Sequence, residues 1–196
     1  MTPKQEERIR NKIAKIKKAL ADEKRYWGDY HDGGGLRYLP PELFIKLKDY
    51  PGALRYFRWF DKNFPDDIGY PVFLFEWTLT LFKMGKMKDV EKRALQTFFS
   101  NTYLFDYFLG KELLLFDKYE GFNWEQPDLA INMHYTKEQE DLADFVEWLT
   151  LFATSAKFYQ VANEFIRIHV QLQTEPVGTK RNELVTRLSH LLDDYK

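Results

Sequence analysis

An all-α fold is predicted by three observations on the 196-residue chain. Apolar residues recur at spacings of three and four along several segments, the marks of amphipathic helices. Strand-like alternation is convincing nowhere. Gly and Pro together are few, 10 and 8, too few for a loop-rich β protein. The length suits one domain able to bury a full core. That core has material to draw on: 17 Phe, 12 Tyr and 5 Trp. So many rings exclude a disordered chain. The net charge of −1 argues against a nucleic-acid binder. With no Cys there is no disulfide framework, thiol nucleophile or Cys-ligated zinc. The longest uncharged run, Ala94 to Phe105, is 12 residues, too short to span a bilayer. The first twenty residues are charged throughout and do not read as a signal peptide. A soluble, cytoplasmic, non-membrane protein is expected.

The elements follow in order. Residues 1–26 form a basic helix. Thr2 and Gln5 have capping-box spacing, Pro3 suits the first turn, and Ile9, Ile13, Ile16 and Leu20 make one apolar stripe. Residues 1–25 hold nine bases against four acids, net +5, and the remainder is net −6. This helix offers phosphate contact, membrane contact or a solvated docking face. The acidic remainder and a stripe without Phe or Trp favour the third. Gly28 to Gly35 form a loop, since no helix tolerates Gly33-Gly34-Gly35. Short helices are predicted over 41–48 and 53–63. A third, over 71–83, is apolar almost all round and therefore central. A fourth covers 88–99, and another short helix falls within 101–118. Residues 119–135 read as a long connection. Thr136 and Gln139 cap a helix from Lys137 to about Ala156. A further helix spans Phe158 to Leu172, and Thr179 caps the last one.

Within this pattern, KLKDYPGALRYFRWFDKNFPDD (46–67) resembles the second half of a tetratricopeptide repeat (TPR). Tyr50 stands at the turn aromatic, Ala53 at the small residue three positions on, and Pro65 twelve positions after Ala53. Phe57 and the pair Asp66-Asp67 also match. FKMGKMKDVEKRALQTF is similar to a second copy. Its Gly85 and Val90 take the turn and small-residue places, Val90 lying 37 residues on from Ala53, against about 34 in the family. Met87 replaces the aromatic and no proline closes it. Tyr159 and Ala162 suggest a third pair over 137–176, with Pro176 two positions late. The first-helix halves depart from the family's Trp/Leu/Gly pattern. The resemblance implies a TPR-like right-handed superhelix, an α-α solenoid of stacked antiparallel hairpins over 36–118. Capping helices would lie at 1–26 and within 136–196. It also implies a non-enzymatic module that binds a protein or peptide.

The resemblance places Tyr38, Glu42, Ile45 and Lys46 on the concave groove from one copy and Phe75, Leu79, Phe82 and Lys83 from the next. Arg37 would either stand at its mouth or form a surface salt bridge, and Asn101 and Tyr103 would either face the groove or cap the helix they begin. A ligand segment would lay apolar anchors against Phe75 and Phe82, with Lys46 and Lys83 holding carboxylates. The alternative is that the aromatics are ordinary core. Two other readings stay open. Asp29, His31 and Asp32 are metal-ligand types in four residues, so a metal-dependent enzyme is one, although the sequence supplies no fourth ligand nearby. A homodimeric structural protein burying exposed aromatics is the other. No cofactor is implied, and no Gly-x-Ser-x-Gly, Walker or His-Glu-x-x-His motif is present.

Overall fold

The structure, a computed structural model, describes residues 1–115, 117–119 and 125–193. Ten α-helices and no strand occur among them. The order is α1 (Pro3–Trp27), α2 (Pro40–Lys46), α3 (Tyr50–Asn63), α4 (Pro71–Lys83) and α5 (Met87–Ser100). Then come α6 (Leu104–Phe108), α7 (Pro127–Ile131), α8 (Ala143–Ala153), α9 (Ala156–Thr174) and α10 (Thr179–His190). No helix among the described residues is long and apolar enough to cross a membrane.

The Thr2 capping box closes in full. Thr2 Oγ1 accepts the Gln5 N–H at 3.3 Å and Gln5 Oε1 accepts the Thr2 N–H at 2.8 Å. Ile13, Ile16 and Leu20 carry α1 onto Leu43 of α2, with Trp59 of α3 partly buried beside them. Each such burial contributes about 1.5–3 kcal/mol. Residues 47–49 separate α2 from α3, so 41–63 is not one rod. Asp49 caps α3 by accepting the Gly52 N–H at 2.9 Å. That cap starts α3 three residues before its expected beginning at Ala53. It also dictates glycine at 52, where a Cβ would stand 2.5 Å from Asp49 Oδ2 and 2.8 Å from Phe44 Cδ1.

Helix α4 lies at the centre, and every residue from Pro71 to Leu81 is buried. Phe73, Trp77 and Leu81 face Ala53, Phe57 and Phe60 of α3 and Val90 of α5. Val72, Phe75 and Leu79 belong to a second, larger core with Phe108 of α6, Phe145 and Leu149 of α8, and Phe165 of α9. A helix apolar all round is what two such cores require.

Four expectations shift at their edges. The helix sought within 101–118 is only Leu104–Phe108. Gly110 (φ +65°) ends it, while the Lys111 N–H returns to the Asp106 carbonyl. The connection contains α7, opened by Pro127, and buries Met133 and Tyr135; its residues 120–124 lie outside the described set. Thr136 and Gln139 do pair, the Thr136 N–H donating to Gln139 Oε1 at 3.0 Å. Yet α8 begins only at Ala143: a separate 3-10 turn spans Glu140–Leu142, Leu142 leaves α-helical geometry, and Lys83 Nζ donates to the Asp141 carbonyl at 2.7 Å. Gly178, not Thr179, is the residue before α10.

Candidate functional site

The face of α2 and α4 expected to form a groove is covered by the chain's own residues 133–148. Phe75 is fully buried, its ring 5.4 Å from Tyr135 and 5.6 Å from Phe145. Phe82 is half-buried, 5.4 Å from both Phe145 and Trp148. Lys83 Nζ donates to the Asp141 carbonyl and to the Asp144 carboxylate. Burial works to raise the Asp144 pKa. The Lys83 hydrogen bond and charge outweigh it and bring the carboxyl below its ordinary value. Lys46 pairs with Glu42 one turn back on α2, and His134 Nε2 lies 3.6 Å from Glu42 Oε1.

Asn101 and Tyr103 are interior residues, and of their two readings the structure favours the cap over the groove. Asn101 Oδ1 accepts the Tyr103 N–H and Asn101 Nδ2 donates to the Gln126 carbonyl, each at 2.9 Å. They fasten the end of α5 to the start of α7. Phe75, with no exposed surface, is likewise core.

Sequence reasoning missed Glu76, which sits beneath this face. It is 1% exposed. Its Oε1 accepts the Tyr135 hydroxyl at 2.9 Å, while its Oε2 has no protein partner. Thr80 Oγ1, one turn along α4, has none either. Burial holds the Glu76 carboxyl well above the ordinary range, with the Tyr135 bond working against it. Burial, then the Glu76 charge, pushes the Tyr135 phenol up too. The signal was in the sequence: Glu76 is the lone charge between Pro71 and Phe82.

The glycine-rich loop is locked by carboxylates. Asp32 Oδ1 accepts the Leu36 N–H at 2.7 Å, and its Oδ2 accepts the Arg37 N–H at 2.8 Å. Arg37 bridges from there to Asp67, its Nε donating at 2.7 Å, and the Tyr38 hydroxyl donates to Asp67 at 2.6 Å. Burial first, and then Asp67, lifts the Tyr38 pKa to about 12. Arg37 and Tyr38 therefore pin the loop to the turn after α3. Asp32 is engaged by backbone, His31 lies against the Trp27 ring at 5.6 Å, and Asp29 accepts the Tyr30 N–H. Among the described residues no three His, Cys, Asp or Glu side chains gather where they would hold a metal ion.

One further cleft was not foreseen. Helices α3, α4 and α5 enclose about 420 Å³ around Arg93 and Trp77. These two are 16 positions apart on neighbouring helices, so no local motif marks them. In comparisons with known proteins, no family model, no curated protein and no solved structure matches this chain.

Proposed function

We propose that the protein is a non-enzymatic, TPR-like binding module whose recognition face is formed by α2 and α4. One observation carries this reading: Phe75, Phe82 and Lys83, three of the groove residues expected to grip a peptide, are in contact with a stretch of polypeptide, the chain's own residues 133–148. That stretch brings the features expected of a ligand. Tyr135 and Phe145 are its apolar anchors against Phe75 and Phe82, and Asp144 is its carboxylate on Lys83. A face that accepts aromatic and acidic groups in cis has the chemistry to accept them from a partner. The short turns after α2 and α4 support the stacked-hairpin reading. In this reading the partner segment replaces 133–148 rather than entering an open channel.

The test joins partner capture from a native extract to cross-link mapping and hydrogen exchange. Captured partners are expected to cross-link to α2 and α4, and α8 amides are expected to exchange faster in the complex. Phe82→Ala and Lys83→Glu are expected to change the set captured. An unchanged set, with α8 equally protected in free and bound protein, removes the groove from the proposal.

A further inference from the structure

A half-buried guanidinium normally has a carboxylate or carbonyl partner, because stripping its water is costly without one. Arg93 of α5 has neither among the described residues. Its guanidinium carbon lies 3.5 Å above the centre of the Trp77 ring, and Trp77 is itself stacked on Phe57 at 4.6 Å. Arg93 also lines the cavity, and a guanidinium resting on a ring keeps N–H donors for an anion. Burial lowers the Arg93 pKa to about 10, the charges of Asp61 and Asp89 working against that loss. Neither acid comes within ion-pair distance. Arg58, Lys86 and Lys92 line the same cavity, so four bases face two acids. Its volume, about 420 Å³, falls within the range of small-ligand sites, about 300–1,000 Å³.

We propose that the α3–α4–α5 cleft binds a small anion through a phosphate or carboxylate group, with Arg93 as the anchor. The flat fork supplies paired donors to two oxygens of one anionic group. Arg58, Lys86 and Lys92 at the rim draw negative charge toward the mouth. The cleft lies away from the covered face of α2 and α4, so this site stands whether or not that face binds a partner.

The experiment is isothermal titration of the full chain with inorganic phosphate and, separately, with citrate. The two titrants distinguish a phosphate site from a carboxylate site. Saturable one-to-one binding of at least one titrant is expected, weakening as sodium chloride is added. Arg93→Gln is expected to weaken it about ten-fold or more, as loss of a charge-assisted pair does. Lys86→Gln is expected to weaken it about three-fold through the lost rim charge. Absence of saturable binding by either titrant overturns the proposal, as does undiminished affinity in folded Arg93→Gln. Should Arg93→Gln fail to fold by circular dichroism, the double variant Arg58→Gln, Lys86→Gln decides, and unchanged affinity there also overturns it.

Discussion

Glu76 shows how one side chain sets a pH dependence. Its folded-state pKa is raised by burial, so the folded chain holds this proton more tightly than the unfolded chain does. Stability from this group is therefore complete below the ordinary carboxylate value and is lost as pH rises toward the folded value. Glu76→Gln keeps the shape and cannot ionise. The urea midpoint of the native protein should fall relative to that of Glu76→Gln as pH rises above the ordinary carboxylate range. Parallel curves for the two proteins would show that Glu76 does not titrate there. Thr80 tests the same environment without charge. Its hydroxyl is buried with no protein partner, so Thr80→Val should leave stability unchanged or raise it by about 1 kcal/mol. A loss of about 2 kcal/mol or more in denaturant titration counts against that expectation.

Helices were more legible than contacts between them. The α4 boundaries at Pro71 and Lys83 follow from that one proline, the apolar run and the Met84-Gly85-Lys86 turn, and they match the structure. The Thr2 cap is equally readable, and Thr2→Ala should cost about 1 kcal/mol and fray α1, as amide exchange would register. Ala53 was legible as a close-approach position and has no exposed surface. Ala53→Leu should destabilise the α2–α3 pair by about 1–3 kcal/mol, since added methylenes have nowhere to go. A neutral result in thermal unfolding would mean that α3 is loosely packed at this point. Long-range partners were not legible. That Phe75 meets Tyr135 and Phe145 depends on residues about 60 and 70 positions away, and periodicity carries no such information. The same holds for Asn101, whose partner Gln126 lies beyond α6. The delayed start of α8 was not legible either, because the periodicity of three and four does not separate the 3-10 turn Glu140–Leu142 from a first α-helical turn.

At the scale of the whole molecule, burial is uneven. Helix α4 buries eleven consecutive residues, whereas α1 buries only Ile13, Ile16 and Leu20 in 25. Local opening follows the number of buried contacts that must break. Native-state exchange should therefore place the α4 amides near the global unfolding energy and those of α1 outside residues 13–20 well below it. Exchange of α1 and α4 as one unit would contradict this. The charge division acts alongside: α1 carries most of a +5 segment and rests on a body of −6. Salt should weaken the hold on α1 before it touches the aromatic cores. The tether between α4 and residues 133–148 has a last effect. A stretch joined to its own docking face stays at a local concentration of order millimolar, whatever the protein concentration. Dilution never strips it away. A free competitor of equal intrinsic strength must reach that level to displace half of it, so a rival present at micromolar amounts needs about a thousand-fold stronger grip.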